Sequence, residues 1–307
     1  MGSLLDKKAA KEVIFKALEN GITFFDTAPL YGNSLSEEII GEALVEAGQE
    51  AIICTKAGLR IFERKDKRFG VEVEKLNEEY LKGSLERSLK RLKRDSIDLF
   101  MLHAFDPNTP IEETLASLNR FYREGKIKSF GCSNFNPEQL QTLLKKKPDN
   151  LPFVAAQCHY NLIERRASRS FIPLCEKNQI WVVVNRVLAR GALTGQYRAE
   201  QPLPMNSRAA SSKRIQKWLT PQKLRLLDDL SSIAQKCKTS LMDISLQWLL
   251  RNHSQLLILL GVKSARHLED CLHSAQRKID DSVFETIEAA IRIEKDVYTS
   301  PPRYFEK

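Results

Sequence analysis

The chain has 307 residues and carries 48 Lys and Arg against 39 Asp and Glu, a formal charge of +9; 42% of its residues are hydrophobic, with 13 Gly and 12 Pro. That balance excludes a collagen-like or disordered chain, because the apolar content can bury a core and Gly and Pro sit near the globular average. No window approaches the roughly 18 consecutive apolar residues of a membrane span, and Met1–Lys8 has no basic stretch followed by an apolar core, so a cytoplasmic protein is expected.

In chain order, a helical segment over Lys7–Glu19 comes first, with no strand before it. Short β-branched or aromatic runs then alternate with segments of helical spacing. Strands are predicted at Ile22–Thr27 and Ala51–Lys56, followed by a charged insertion, Leu59–Lys75, that has neither period. Helix Leu76–Leu92, strand Ile97–His103, helix Ile111–Glu124, strand Ile127–Ser133 and helix Pro137–Lys146 follow. Strand Val154–His159, helix Ala167–Asn178 and strand Ile180–Val187 lead into Gln196–Lys213, whose polar composition and two prolines read as a long loop. Helix Leu241–Asn252 and strand Leu256–Val262 complete the alternation.

Strands apolar nearly throughout, each followed by a helix, imply a parallel sheet covered on both faces, either open and doubly wound or closed as a barrel. No linker divides the chain, which favours one barrel domain over residues 1–307. The strands number seven where a barrel of this type has eight. Basic and acidic residues are interleaved, as from Lys90 to Asp98, which reads as solvated helix faces and not as a nucleic-acid surface. The six cysteines show neither metal-ligand nor disulfide spacing, so reduced thiols and no metal are expected.

Titratable residues gather at the ends of the first three strands: Asp26 and Tyr31 in FFDTAPLYG, Lys56 ending AIICTK, and His103 ending IDLFMLH. In a parallel barrel these ends converge on one mouth. A phenol beside an ammonium group is stabilised as phenolate, which brings Tyr31 toward a useful general acid. Asp26 would orient Lys56, and His103 would hydrogen-bond a carbonyl oxygen. The set suits proton delivery to an oxygen that gains charge as hydride reaches its carbon, and no residue supplies hydride, so a nicotinamide cofactor is implied. Leu30, Ala104 and Phe105 are placed on the substrate pocket, with Arg60 and Arg186 leaving room for an acid group.

With these residues stand SEEIIGEAL, ICTKAG, SIDLFMLHAFDP, REGKIKSFGCSNF, QCHYN, LARGALTG and LLGVKSARHLED, and by them the chain resembles the aldo-keto reductases over nearly its whole length. The resemblance implies a TIM (β/α)8-type barrel, here without the N-terminal hairpin and first strand; Met1-Gly2-Ser3 falls about where that strand would end. It implies Asp26, Tyr31, Lys56 and His103 as a catalytic tetrad with Tyr31 as proton donor, and reduction of an aldehyde or ketone. Ser133, Asn134 and Gln157 match residues that hold the nicotinamide carboxamide, and Leu188, Arg190 and Gly191 the turn along the pyrophosphate. Gly261, Asp270 and Cys271 match the adenosine end, where Lys263, Arg266 and His267 would favour NADP(H). Asn185 stands where an aromatic residue is expected to stack on the nicotinamide, Arg186 where a small polar residue is usual, and Cys271 where an Asn usually contacts adenine. These changes predict looser cofactor binding with the reaction unchanged. A second reading keeps the fold without efficient turnover, as a binding or regulatory protein; oligomeric state and the particular carbonyl substrate are left open.

Overall fold

The computed structural model of the chain describes residues 6–63, 69–205, 207–252 and 255–293. The segment in which a first strand would end lies in 1–5, outside the described residues. The chain divides into two compact units: Met1–Cys158 with Phe171–Val183 and Val262–Leu268, and His159–Ser170 with Val184–Gly261 and Glu269–Lys307.

In the first unit, helix α1 (Lys7–Glu19) begins where the Asp6 carboxylate accepts from the Lys8 N–H, and stops where Gly21 takes a positive φ of 74°. Strand β1 (Phe24–Asp26), helix α2 (Leu35–Ala47) and strand β2 (Ile52–Ala57) follow. Next come β3 (Leu59–Glu63), β4 (Phe69–Val73), α3 (Glu78–Leu92), β5 (Leu99–Leu102), α4 (Ile111–Arg123) and β6 (Phe130–Ser133). Helix α5 (Pro137–Lys146), β7 (Phe153–His159) as far as Cys158, α6 (Phe171–Lys177) and the first three residues of β8 (Trp181–Asn185) complete the run. The sheet order begins β1-β2-β5-β6-β7, and its neighbouring pairs are parallel.

The strand ends are what position the site. Asp26 stands opposite Cys54 in the β1–β2 register, so Lys56 projects two residues further along on the same face. Lys56 in turn stands opposite Met101, and the His103 N–H closes onto the Ala57 carbonyl at 2.7 Å. Behind this face, Ile53, Phe100, Leu102, Phe130 and Cys132 are wholly buried.

Two predicted features came out differently. The charged insertion Leu59–Lys75, read as a loop, is an antiparallel hairpin of β3 and β4. Leu59 and Ile61 stand opposite Val73 and Val71, and between these apolar pairs Arg60 stands opposite Glu72 and bonds both it and Glu74, so the apolar alternation is short and set in a charged stretch. Helix Ala167–Asn178 is broken into a 3-10 turn, Arg166–Arg169, and α6, with Pro173 two residues inside the second piece. The ends of the other predicted helices and strands fall within a few residues of those observed.

The second unit holds helices α7 (Lys213–Trp218), α8 (Pro221–Lys236) and α9 (Leu241–Asn252), strand β9 (Leu256–Ile258), the later part of α10 (Ala265–Gln276), and α11 (Asp281–Ile293). The stretch Gln196–Lys213 is irregular as expected, yet fastened. Tyr197 is 1% exposed and its hydroxyl accepts from the Ala209 N–H, while the Asp228 carboxylate takes the Ala199 N–H at 2.9 Å.

Candidate active site

Tyr31 sits on a turn that only an unusual backbone supplies. Gly32, Asn33 and Ser34 all take positive φ, of 60°, 53° and 74°, before α2 starts. Glycine adopts this region freely and Asn tolerates it, whereas Ser adopts it only where its surroundings hold it. The Ser34 N–H donates to the Pro29 carbonyl at 2.8 Å, and the Thr27 and Ser36 hydroxyls join at 2.9 Å. The turn thus presents the phenol back toward the strand ends.

There Lys56 Nζ donates to Asp26 Oδ1 at 2.5 Å and to the Thr27 carbonyl at 2.9 Å, and it lies 5.1 Å from the Tyr31 ring centroid. The His103 and Tyr31 rings meet edge to face, 5.9 Å apart at 89°. All four residues of the sequence-derived tetrad therefore lie together in one unit. Burial penalises the charge of Lys56, but Asp26, with Tyr31 and Cys54, more than offsets this and holds the ammonium above its usual range. Burial pushes His103 well below its usual range, with Lys56 adding to the effect, so its imidazole is neutral at pH 7. One expectation is reversed in sign. Lys56 does pull the Tyr31 phenol down, yet burial outweighs it and the net shift is upward, so at neutral pH the phenol keeps its proton.

Ser133, Asn134 and Gln157 are also brought together, side by side, because Ser133 and Gln157 are register partners of β6 and β7. The Ser133 hydroxyl donates to Gln157 Oε1 at 2.7 Å, and Asn134 Nδ2 donates to Ser133 Oγ at 3.0 Å and to the His103 carbonyl at 2.8 Å. Among the pocket residues, Leu30 lines a cavity of about 270 Å³ together with Pro29, Leu59, Arg60, Ile61 and Tyr80. Phe105 packs edge to face on Phe135 at 5.5 Å, and Ala104 is wholly buried. Lys263 and Arg266 are exposed, while His267 Nδ1 accepts the Lys263 N–H at 3.3 Å.

In the second unit Asn185 and Arg186 belong to a polar group that also includes Asn161 and Glu164. Asn161 Nδ2 donates to the Arg186 carbonyl and to Glu164 Oε2, both at 2.9 Å, and its Oδ1 accepts the N–H groups of Ile163 and Glu164. This holds Arg186 at φ 56°, at the start of a turn in which Ala189, Arg190 and Gly191 also take positive φ. Leu188 lies inside that turn and accepts the Gly191 N–H at 2.8 Å. Arg190 reaches Glu164 at 3.1 Å, and Trp218 Nε1 donates to the same carboxylate at 3.2 Å. The Trp218 ring lies against the Arg190 guanidinium at 4.7 Å and against Lys223 Nζ at 4.4 Å. Burial would raise the Glu164 carboxyl, but Arg190, Asn161 and Arg186 hold it below the usual carboxylate range. His159, hydrogen-bonded to Asn185, is pushed down to about 4 by burial and then by Arg186. Cys271 is wholly buried and its thiol is raised to about 11 by burial, so it packs as an apolar side chain; Gly261 and Asp270 are exposed.

Sequence reasoning missed Glu164, Trp218 and Lys223, which come from separate segments, and Glu37. The last is wholly buried, where it takes the Thr55 hydroxyl at 2.6 Å and Arg91 at 2.6 and 2.7 Å. The only available signal was the acidic pair inside SEEIIGEAL. Among the described residues no group of His, Cys, Asp or Glu is arranged to hold a metal ion, and no helix is long and apolar enough to cross a membrane.

The fold is α/β, built on parallel strands with helices between them, and comparison with known proteins gives its class. The family model of the Aldo/keto reductase family matches residues 2–292, and the chain belongs to that family. It is 30% identical to "Aldo-keto reductase yakc [NADP(+)]" of Schizosaccharomyces pombe, over 92% of this chain and 83% of that one. It is 28% identical to the "NADH-specific methylglyoxal reductase" of Escherichia coli, over 91% and 86%. The solved glycerol dehydrogenase AKR11B4 of Gluconobacter oxydans superposes with a TM-score of 0.81 at 27% identity, covering 97% of this chain and 89% of that one.

Proposed function

We propose that this chain is one barrel domain that works in the cytoplasm as an NADP(H)-dependent reductase of small aldehydes or ketones, with Tyr31 as the proton donor. The observation that carries the reading is the arrangement around Tyr31: a protonated phenol, a Lys56 ammonium 5.1 Å from its ring and locked to Asp26, and a neutral His103 edge-on to it.

The donor chemistry fits a nicotinamide dinucleotide. In the first unit the hydroxyl and two amides of Ser133, Asn134 and Gln157 match the donors and acceptors of a carboxamide. In the second, Arg186, Arg190 and Lys223 gather about Glu164, and such cations suit phosphate groups. Lys263, Arg266 and His267 are assigned to a 2′-phosphate, and the name of the fission-yeast relative carries NADP(+). When bound, the cofactor supplies the hydride.

The chain's own residues do the rest. His103, neutral, donates a hydrogen bond to the substrate carbonyl oxygen and fixes its position. Tyr31 delivers its proton to that oxygen as negative charge builds there, and Lys56, held charged by Asp26, stabilises the phenolate left behind. Leu30 and Phe105 give the carbonyl an apolar approach, and Arg60 offers a charge to substrates with an acid group. Purified protein is expected to oxidise NADPH only when a carbonyl substrate is present. Tyr31→Phe should lower that rate by about 10²- to 10⁴-fold with the melting temperature unchanged. Equal rates for the two proteins would remove the reading.

A further inference from the structure

We propose that Gln157 is a positioning residue for Tyr31, acting through Asp26, in addition to any contact it makes with a cofactor; this rests on the reading of Tyr31, Lys56 and Asp26 as the proton-delivering group. Gln157 Nε2 donates to Asp26 Oδ1 at 3.3 Å, the same oxygen that receives Lys56 Nζ at 2.5 Å. Its Oε1 accepts the Ser133 hydroxyl, which accepts in turn from Asn134, and Asn134 also holds the His103 carbonyl. One hydrogen-bonded chain therefore runs from Lys56 through Asp26, Gln157, Ser133 and Asn134 to the backbone of His103. Gln157 and Ser133 are each 1% exposed and Lys56 is 0% exposed, so these partners of Asp26 are held away from solvent.

The chemistry of the chain fixes its direction. A carboxylate accepts only, so the amide must turn its NH₂ toward Asp26, and the opposite flip would place two oxygens together. The positive end of the amide dipole thus points at Asp26. Tyr31, on the turn after β1, is faced by Asp26 from β1, by Lys56 and the uncharged Cys54 thiol from β2, and by His103 just past the end of β5. Of these groups, Asp26 makes the phenol harder to ionise, and Gln157 moderates that effect. Removing the amide leaves Asp26 less neutralised, and Tyr31 should then hold its proton to higher pH.

The test uses the full chain without cofactor, labelled with ¹³Cζ-tyrosine, the Tyr31 resonance being identified by its absence in Tyr31→Phe. Its titration midpoint is read in the wild type, in Gln157→Met and in Gln157→Glu. The expected order is wild type, then Met higher by about half a pH unit, then Glu higher still, because a second carboxylate adds to Asp26. A midpoint in Gln157→Met equal to that of the wild type overturns the inference, whatever the protein does with NADPH. A shifted midpoint in a protein that never oxidises NADPH keeps the inference and removes the reductase reading. If Gln157→Met does not fold, Ser133→Ala cuts the chain one link away. It should move the midpoint the same way by less, and an unmoved midpoint there is equally fatal.

Discussion

The two units each bury charge, and they do so in opposite ways. In the first, one buried cation meets one carboxylate, Lys56 with Asp26, and the balance leaves a neutral phenol and a neutral imidazole beside a fixed ammonium. In the second, one carboxylate, Glu164, interacts with Arg186, Arg190 and Lys223, and the cations hold it ionised. The difference teaches that buried charge has two uses here. An isolated pair sets proton affinities nearby, whereas a cluster of cations about one carboxylate fixes that carboxylate's charge and offers a positive surface to an anion.

The most forceful way to break the comparison is to unmatch the first unit. Lys56→Met leaves Asp26 without its cation and should cost about 3 kcal/mol or more in urea unfolding; Asp26→Asn added to it should restore most of that loss. A smaller effect is expected on unmatching the second. Glu164→Gln should cost about 2 kcal/mol, since the carboxylate is partly exposed, and inorganic pyrophosphate should raise its melting temperature more than that of the wild type. Equal gains would mean that the three cations do not act as one anion-binding group.

The pH dependence follows with definite signs. Tyr31 must be protonated to give a proton and its pKa lies above the ordinary 10, so carbonyl reduction should hold across neutral pH and fall only as pH rises through that raised value. Alcohol oxidation, which needs the phenolate, should run the other way. For stability, the unfolded chain protonates its histidines near 6.5, while folded His159 resists until about 4 and His103 resists likewise. Stability contributed by these rings is full above 6.5 and should be lost as pH falls toward 4, a trend that thermal melts check directly. The smallest effect belongs to the hairpin. Arg60→Ala removes ion pairs from a side chain 59% exposed and should cost under about 1 kcal/mol, while changing KM only for substrates with an acid group.

Much of the fold was legible because its signals are local. Helix α5 announces itself by Asn136, Pro137 and Gln139, which form a capping box, and the buried strands by unbroken apolar runs. The tetrad was legible too, since strand ends of a parallel sheet must converge. The hairpin of β3 and β4 was not, because its apolar alternation, Leu59 and Ile61 against Val73 and Val71, spans only three residues of each strand inside a charged stretch. The upward shift of the Tyr31 phenol was hidden for a related reason: a sequence shows which charge is near a phenol, but not how much water has been taken from it. Glu164 and its partners were invisible because Trp218 and Lys223 are brought to it only by the packing of the second unit.

The contact between α2 and α3 carries a further consequence. A methyl group at Gly41 would stand 2.5 Å from the Arg91 carbonyl oxygen and 2.7 Å from the backbone of Leu92, so the two helices touch through a hydrogen atom. Helix α2 begins directly after the turn that aims Tyr31, and Glu37 rivets it to Thr55, the neighbour of Lys56. The outer layer therefore acts as a gauge block for the strand ends. Adding one carbon there would push α2 outward by close to an ångström, and a misplacement of that size is enough to cost a proton donor about a hundredfold in rate.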